Sequence, residues 1–195
     1  MTDSINWPAP SKINRFLHVT GRRSDGYHTI QTLFQFLELA DVLRFKLRAD
    51  GIISRRHVLT EVSESDDLTI RAARLLKSTT GVASGVEIDL TKNIPVGGGL
   101  GGGSSDAATV LVALNAIWGL GLTNKELAKL GLGLGADVPV FIFGRSSWAE
   151  GIGEILYEEE PEERSLVVLF PGVRVATAKV FLAPELTRDS APIRM

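Results

Sequence analysis

Six glycines fill the seven positions from Gly97 to Gly103, broken only by Leu100, and Ser104-Ser105-Asp106 follow. Glycine at that density weakens a helix or strand, because ordering it costs extra backbone entropy. What it offers is main chain without Cβ atoms, whose N–H groups can curl around an anion. A helix that starts just after the run adds the positive end of its dipole. The chemistry this points to is phosphate binding. A flexible linker is the blander reading, and the context argues against it. The run lies between the strand-like Val86–Leu90 and the helix-like Ala107–Leu114, and Pro95 stiffens its entrance. Spacers are long Gly/Ser tracts instead.

Phosphate loops differ in what must surround them. Gly97-x-Gly99-x-x-Gly102 formally matches a dinucleotide fingerprint, but a Rossmann unit needs an acidic residue at a strand end about twenty residues on. Here that region is Leu122-Thr123-Asn124-Lys125-Glu126, which reads as a helix start. No Lys-Ser/Thr pair follows the glycines, so the Walker A pattern fails. Neither His-Arg-Asp nor Asp-Phe-Gly occurs, so the protein-kinase pattern fails too.

The elements that would position the loop are a mixture of strands and helices. Ile13–Val19 and Thr29–Leu47 read as extended, separated by a turn whose Asp25-Gly26 pair is a hairpin signal. Ile52–Leu59 is a further strand candidate. Asp66-Asp67 is expected to cap a helix over Leu68–Ser78, with Gly81 as its stop. Val86–Leu90 leads into the glycine run, and the helix after it is expected to reach about Trp118. Thr123 with Glu126 three residues on forms a capping box for the next helix. Short strands are expected at Val140–Phe143, Ser147–Ala149, Glu154–Tyr157 and Leu166–Phe170. Without a regular βαβ alternation, the fold class is α+β. Glu158-Glu159-Glu160-Pro161-Glu162-Glu163 reads as a solvated turn rather than a metal site.

The bulk properties exclude several classes. The chain has 195 residues, a formal net charge of −2 and no cysteine. That leaves no basic footprint for nucleic acid, no disulfides and no thiolate metal site. There is neither a signal-peptide pattern at the N-terminus nor a run long enough for a membrane span. The expectation is a soluble, cytoplasmic protein.

The segment from Pro95 to Ala108 resembles the second motif of the GHMP small-molecule kinases. Three more segments, Ala9-Pro10-Ser11-Lys12-Ile13-Asn14, Arg23-Ser24-Asp25-Gly26-Tyr27-His28 and Leu134-Gly135-Ala136-Asp137-Val138-Pro139, narrow the likeness. Together they are similar to the branch that phosphorylates 4-diphosphocytidyl-2-C-methyl-D-erythritol in non-mevalonate isoprenoid synthesis. The likeness extends from about Trp7 to Leu186.

That resemblance implies a GHMP kinase fold. Residues 1–160 would form an ATP-binding domain like the second domain of ribosomal protein S5, and residues 161–195 would begin a substrate domain. It implies transfer of the γ-phosphoryl of ATP to a tertiary hydroxyl, with Mg²⁺ bridging the phosphates and its ligand among the serines left open. Pro95, Val96, Gly97, Gly98, Gly99, Leu100, Gly101, Gly102, Gly103, Ser104 and Ser105 would cradle the triphosphate, with Lys92 lining the adenine site. Asp137 would accept the hydroxyl proton, and Lys12 would keep Asp137 ionised. Asn14, Tyr27, His28, Phe34, Thr177 and Phe181 would hold the cytidyl substrate, a small molecule. Nothing points to a nucleic-acid or membrane partner, and the oligomeric state is left open.

Two departures stand out. Arg15 occupies a position that is usually apolar in the family. Family members also continue past the equivalent of Met195 through a second domain with a third glycine-rich motif. The expectation is a shortened form that retains ATP binding with doubtful turnover, its late apolar segments exposed. Another GHMP kinase, acting on homoserine, mevalonate or a sugar, and an inactive ATP-binding remnant are the competing readings.

Overall fold

The computed structural model describes residues 5–57, 62–63, 65–172 and 177–193. In chain order the elements are β1 (Trp7–Arg22), β2 (His28–Arg48), β3 (Ile53–Arg55), α1 (Leu68–Thr80), β4 (Gly85–Thr91), α2 (Gly102–Ile117), α3 (Asn124–Leu132), α4 (Val138–Phe143), β5 (Ser147–Glu150), β6 (Ile155–Glu158) and α5 (Thr177–Leu182).

One long hairpin organises the sheet. β1 and β2 pair antiparallel from Trp7↔Leu43 to Arg22↔His28. In the turn between them the Arg23 N–H donates to the Tyr27 carbonyl at 2.7 Å. Gly26 there takes a φ of 91°, the left-handed region that the Asp-Gly pair signals. β2 is long enough to serve three neighbours. Besides β1, its later half pairs with β4 and its earlier half with β5, both antiparallel. β3 lies parallel outside β4, and β6 antiparallel outside β5, completing six strands.

The hairpin is not regular, and its irregularity matters. Pairing shifts between Pro10 and Lys12, where Ser11 faces three residues of β2, and the Ser11 hydroxyl donates to the Leu39 carbonyl at 2.7 Å. The consecutive residues Ser11 and Lys12 are both buried, which the two-residue alternation of a strand with one open face does not allow.

Val86, Ile88 and Leu90 of β4 point to the helices while Glu87 and Asp89 point away, the pattern of a half-buried strand. Against them pack Ile70, Ala73 and Leu76 of α1 and Val110, Leu111 and Leu114 of α2, forming one contiguous core. Asp67 caps α1 by accepting the Thr69 N–H, and Gly81 ends it at a φ of 71°. Asp66 instead accepts from the Ser63 hydroxyl in the preceding turn. The Thr123–Glu126 capping box is present in full at α3. Of the strand expected over Ile52–Leu59, Ile53–Arg55 is observed, and residues 58–61 lie outside the described residues.

Two expected strands are corrected. Val140–Phe143 belongs to the helix α4, which Pro139 opens and Gly144 closes in the left-handed region. A short apolar run cannot be told from a buried helical turn by periodicity, and here all of Val138–Ile142 is buried. Leu166–Phe170 forms no strand: it pairs with no described strand, and Val167 and Leu169 stand almost fully exposed. Among the described residues no helix is long and apolar enough to cross a membrane.

Candidate active site

The glycine run forms the inner wall of a cleft of about 540 Å³. Its conformation needs glycine at alternate positions: Gly97, Gly99 and Gly101 have φ of 77°, 75° and 74°. Gly101 is the N-cap of α2, and the first helical bond runs from the Ser105 N–H to its carbonyl. The N–H groups of Gly101, Gly102, Gly103 and Ser104 therefore stand ahead of the helix without intrahelical partners. Such groups on a helix dipole favour an anion. The helix begins two residues before the serines, with glycine rather than serine at the cap. Of the two hydroxyls, Ser104 lines the cleft, while Ser105 is fully buried and its Oγ has no hydrogen-bond partner among the described residues.

Lys12 and Asp137 meet at the end of this loop. Lys12 Nζ lies 3.1 Å from Asp137 Oδ2, with the lysine side chain buried and the aspartate 35% exposed. The lysine backbone is tied to the loop as well, its N–H donating to the Leu100 carbonyl at 2.9 Å. Asp137 occupies the N-cap of α4, yet its side chain makes no capping bond. Its carboxylate is thus free of the usual structural duty of an aspartate there and faces the lysine across the cleft. Stacking of Phe141 on Phe36, with centroids 5.4 Å apart, fixes α4 against β2.

A chain of side chains fixes Lys12 from the other side. Its ammonium donates to Asn14 Oδ1 at 2.7 Å and lies 5.3 Å from the centroid of the Phe34 ring. Asn14 Nδ2 donates to Thr32 Oγ1 at 2.8 Å, and Thr32 in turn donates to the Phe16 carbonyl. Thr32 was not legible as a site residue, because a threonine inside a strand is ordinary. Arg15, the departure from the family pattern, donates to Gln35 Oε1 at 2.7 Å and stays out of the cleft.

Lys92 is placed at the base of the loop, where it bridges two buried carboxylates, Asp41 Oδ2 and Asp106 Oδ2. Burial drives the Asp106 carboxyl up to about 7, with Asp41 pushing the same way and Lys92 opposing. Burial alone would lower the Lys92 ammonium, but the two aspartates outweigh it and hold it above its ordinary value. The sequence assigns neither aspartate a role, although Asp106 falls within the glycine-loop motif. The usable signal was Asp41 itself, a charge between apolar neighbours inside a strand pattern, a site where aspartate is depleted.

Lys12, Asn14, Phe34, Lys92, the loop from Pro95 to Ser104, Asp137 and Phe181 thus share one cleft. Tyr27 does not line it; this residue is 58% exposed beside the hairpin turn. His28 does not line it either; its ring stacks on that of Phe181, which does, with centroids 5.2 Å apart. Arg188 Nε donates to His28 Nε2 at 3.3 Å and its guanidinium to the carbonyls of Phe181, Ala183 and Leu186. Burial, followed by Arg188 and Arg22, lowers the His28 pKa. Thr177 opens α5, and its side chain lies outside the described residues. The last described residues return to the hairpin, where the Ile193 N–H donates to Gln31 Oε1 at 2.7 Å and the Ser190 N–H to the Val19 carbonyl.

Comparison with known proteins places this arrangement in context. Residues 67–145 match the GHMP kinases N terminal domain. The 4-diphosphocytidyl-2-C-methyl-D-erythritol kinase of Alkalilimnicola ehrlichii is 59% identical over 192 residues, covering 98% of this chain and 66% of that one. That of Dechloromonas aromatica is 56% identical over 188 residues, covering 96% of this chain and 69% of its own. This chain thus spans about two thirds of the length of the curated relatives it matches. A crystal structure of 4-(cytidine 5'-diphospho)-2C-methyl-D-erythritol kinase superposes with a TM-score of 0.75 at 39% identity, over 93% of this chain and 65% of that one. The Methanococcus jannaschii mevalonate kinase, at 16% identity and a TM-score of 0.54, shares the fold.

Proposed function

The chain belongs to the 4-diphosphocytidyl-2-C-methyl-D-erythritol kinase family of GHMP kinases, and on that premise we propose that it transfers the γ-phosphoryl of ATP to the 2-hydroxyl of that substrate. The observation that carries the reading is the Lys12–Asp137 pair, 3.1 Å apart, at the end of the glycine loop.

Phosphoryl transfer asks the protein chiefly for positioning and charge stabilisation. The loop N–H groups and the start of α2 hold the phosphates. Asp137 Oδ1 or Oδ2 takes the proton of the acceptor hydroxyl as its oxygen bonds to phosphorus and the bond to the ADP oxygen breaks. Lys12 pairs with Asp137 and offsets negative charge on the moving group. Asn14 and Thr32 hold the lysine in that position. The cytidyl end of the substrate lies toward Phe181 and the His28 ring stacked on it, where aromatic faces and a ring nitrogen suit a pyrimidine.

A Mg²⁺ ion fits what the cleft offers. Ser104 Oγ and the Asp137 carboxylate are oxygen donors at its wall, and a hard cation that keeps several waters needs few protein ligands beside phosphates. Among the described residues no cluster of three or more metal-ligating side chains is present, so the phosphates would provide much of the coordination. When bound, the ion supplies charge neutralisation on the phosphates.

A coupled ADP-release assay with the cytidyl substrate tests the reading on this chain and on Asp137→Asn. ADP release that depends on the substrate, and falls about 10²–10⁴-fold in the variant, is the expected result. An Asp137→Asn variant that keeps the wild-type rate would falsify the assignment of the base.

A further inference from the structure

Three charged side chains from three elements meet beneath the glycine loop. Asp41 comes from β2 and is fully buried, Asp106 from the second turn of α2, and Lys92 from the residue just after β4. Asp41 Oδ1 accepts the N–H groups of Asn93, at 2.5 Å, and Ile94, at 2.8 Å. These are the last two backbone donors before Pro95, which has none. The Asn93 side chain doubles the anchor by donating to the Ala40 carbonyl at 2.7 Å. Asp41 Oδ2 takes the Lys92 ammonium, and that ammonium also donates to Asp106 Oδ2 at 2.8 Å.

We propose that Asp41 and Lys92 are positioning residues for the nucleotide, holding the entrance and the exit of the glycine loop in fixed relation. Asp41 sets where the chain leaves β4, and Lys92 ties that point to the helix on which the loop ends. Between the two anchors the loop has little of its own to order it. Glycines lack side chains to pack and lose the most conformational freedom when fixed. Its amides bind an anion well only if the ordering cost is met before the ligand arrives. The bond from the Lys12 N–H to the Leu100 carbonyl holds the middle, so the ends are what remain to be fixed.

The alternative is that Lys92 touches the nucleotide itself, as its neighbourhood in the cleft allows. The geometry speaks for the strut instead. Its ammonium is engaged by two carboxylates and its side chain is 17% exposed. Gly102 also packs so closely over it that an added Cβ would lie 3.3 Å from Lys92 Nζ and 3.0 Å from Ile94 Cγ2. Without Lys92, any charge left on this carboxylate pair would lie uncompensated beneath an anion site. The lysine therefore serves the phosphates by neutralising what lies under them as well as by holding the loop.

The inference rests on the proposed function for the identity of the ligand, but its first readout needs no ligand. Amide hydrogen exchange over residues 95–104 is compared in the nucleotide-free chain for wild type, Lys92→Met and Lys92→Arg. Exchange about tenfold faster in Lys92→Met, near wild type in Lys92→Arg, with peptides of β5 unchanged, is the expected result. Unchanged exchange in Lys92→Met overturns the proposal. The second readout is ATP affinity by calorimetry for Asp41→Asn, Lys92→Met and the double variant. If both residues act through the loop, affinity falls about tenfold in each and no further in the double variant, the non-additivity of a shared device. Losses that multiply mean that Lys92 contacts the nucleotide directly and sink the strut. Should Asp41→Asn not fold, the contrast between Lys92→Met and Lys92→Arg decides alone. A wild-type chain that binds no ATP counts against the proposed function, while the exchange comparison still decides this inference.

Discussion

The Lys12 ammonium lies 3.1 Å from Asp137 Oδ2, with the lysine buried and the aspartate open to the cleft. A pair of that asymmetry serves the acid partner. The lysine is fixed by Asn14 and by its own backbone bond to Leu100, whereas the carboxylate is left room to meet a third group. Replacing the charge while keeping the volume separates positioning from packing. Lys12→Met is expected to fold and to bind ATP within a few fold of wild type. Its single-turnover rate should drop about 10²–10³-fold, in the range that one electrostatic donor contributes. A variant with the wild-type single-turnover rate removes Lys12 from the chemistry.

Gly99 and Gly101 make a controlled pair in the same loop. Both have positive φ, 75° and 74°. A Cβ at Gly99 would meet nothing within 4 Å, but one at Gly101 would lie 2.8 Å from Phe141 Cζ and 3.1 Å from Lys12 Cε. Gly99→Ala should therefore cost only the strain of the left-handed conformation, about 1 kcal/mol. Gly101→Ala adds overpacking of about 1–3 kcal/mol and displaces the lysine that faces Asp137. Urea unfolding of the two variants measures the difference, and equal destabilisation would show that the close approach at Gly101 carries no cost.

What could be read from the chain was what is local. The glycine run, the Thr123–Glu126 box and the Asp25-Gly26 turn each depend on residues within a few positions of one another, and each is present in the fold. Lys12 and Asp137 are distant in sequence, and family likeness rather than spacing brought them together. The roles of Asp41, Asp106 and Thr32 are not legible in sequence because burial, which makes their bonds consequential, is a property of the packed fold and not of any segment. Val140–Phe143 and Leu166–Phe170 are both short, wholly apolar runs and have opposite fates. The first is enclosed as a helix between Pro139 and Gly144, and the second, pairing with no described strand, stays exposed. Strand preference expresses packing against neighbours more than any intrinsic backbone choice.

His28 offers a titration that reports on the surroundings of Phe181, a residue of the cleft wall. Its pKa is lowered by burial first and then by Arg188 and Arg22. A histidine so depressed binds fewer protons folded than unfolded. Its contribution to stability is therefore present above the ordinary value of about 6.5 and lost as pH falls through the lower folded value. Protonation also removes the Nε2 acceptor that Arg188 uses. The imidazole proton signal of His28, followed by NMR from pH 8 to 4.5, is expected to titrate below 6.5, and Arg188→Gln should move that midpoint up. A midpoint unmoved by Arg188→Gln would show that the guanidinium does not act on the ring.

Asp67 carries two duties at the other rim of the cleft, and they can be separated. Its Oδ1 accepts the Thr69 N–H at 2.9 Å as the cap of α1, while Oδ2 pairs with Arg55 Nη1 at 2.9 Å, both side chains being 8% exposed. Loss of a cap alone costs about 1 kcal/mol, the value expected for Thr123→Ala at the exposed capping box of α3. Asp67→Ala removes the cap and also leaves the Arg55 guanidinium buried without its partner, a situation worth about 3–5 kcal/mol. Asp67→Ser restores an acceptor for the Thr69 N–H and no charge, so it should recover only the capping fraction. Arg55→Met in the Asp67→Ala background removes the stranded charge and should recover most of the remainder. Urea midpoints for the four variants test the division. A deficit in Asp67→Ala no larger than that in Thr123→Ala would mean that water reaches Arg55 and that the ion pair is not what holds α1 to β3.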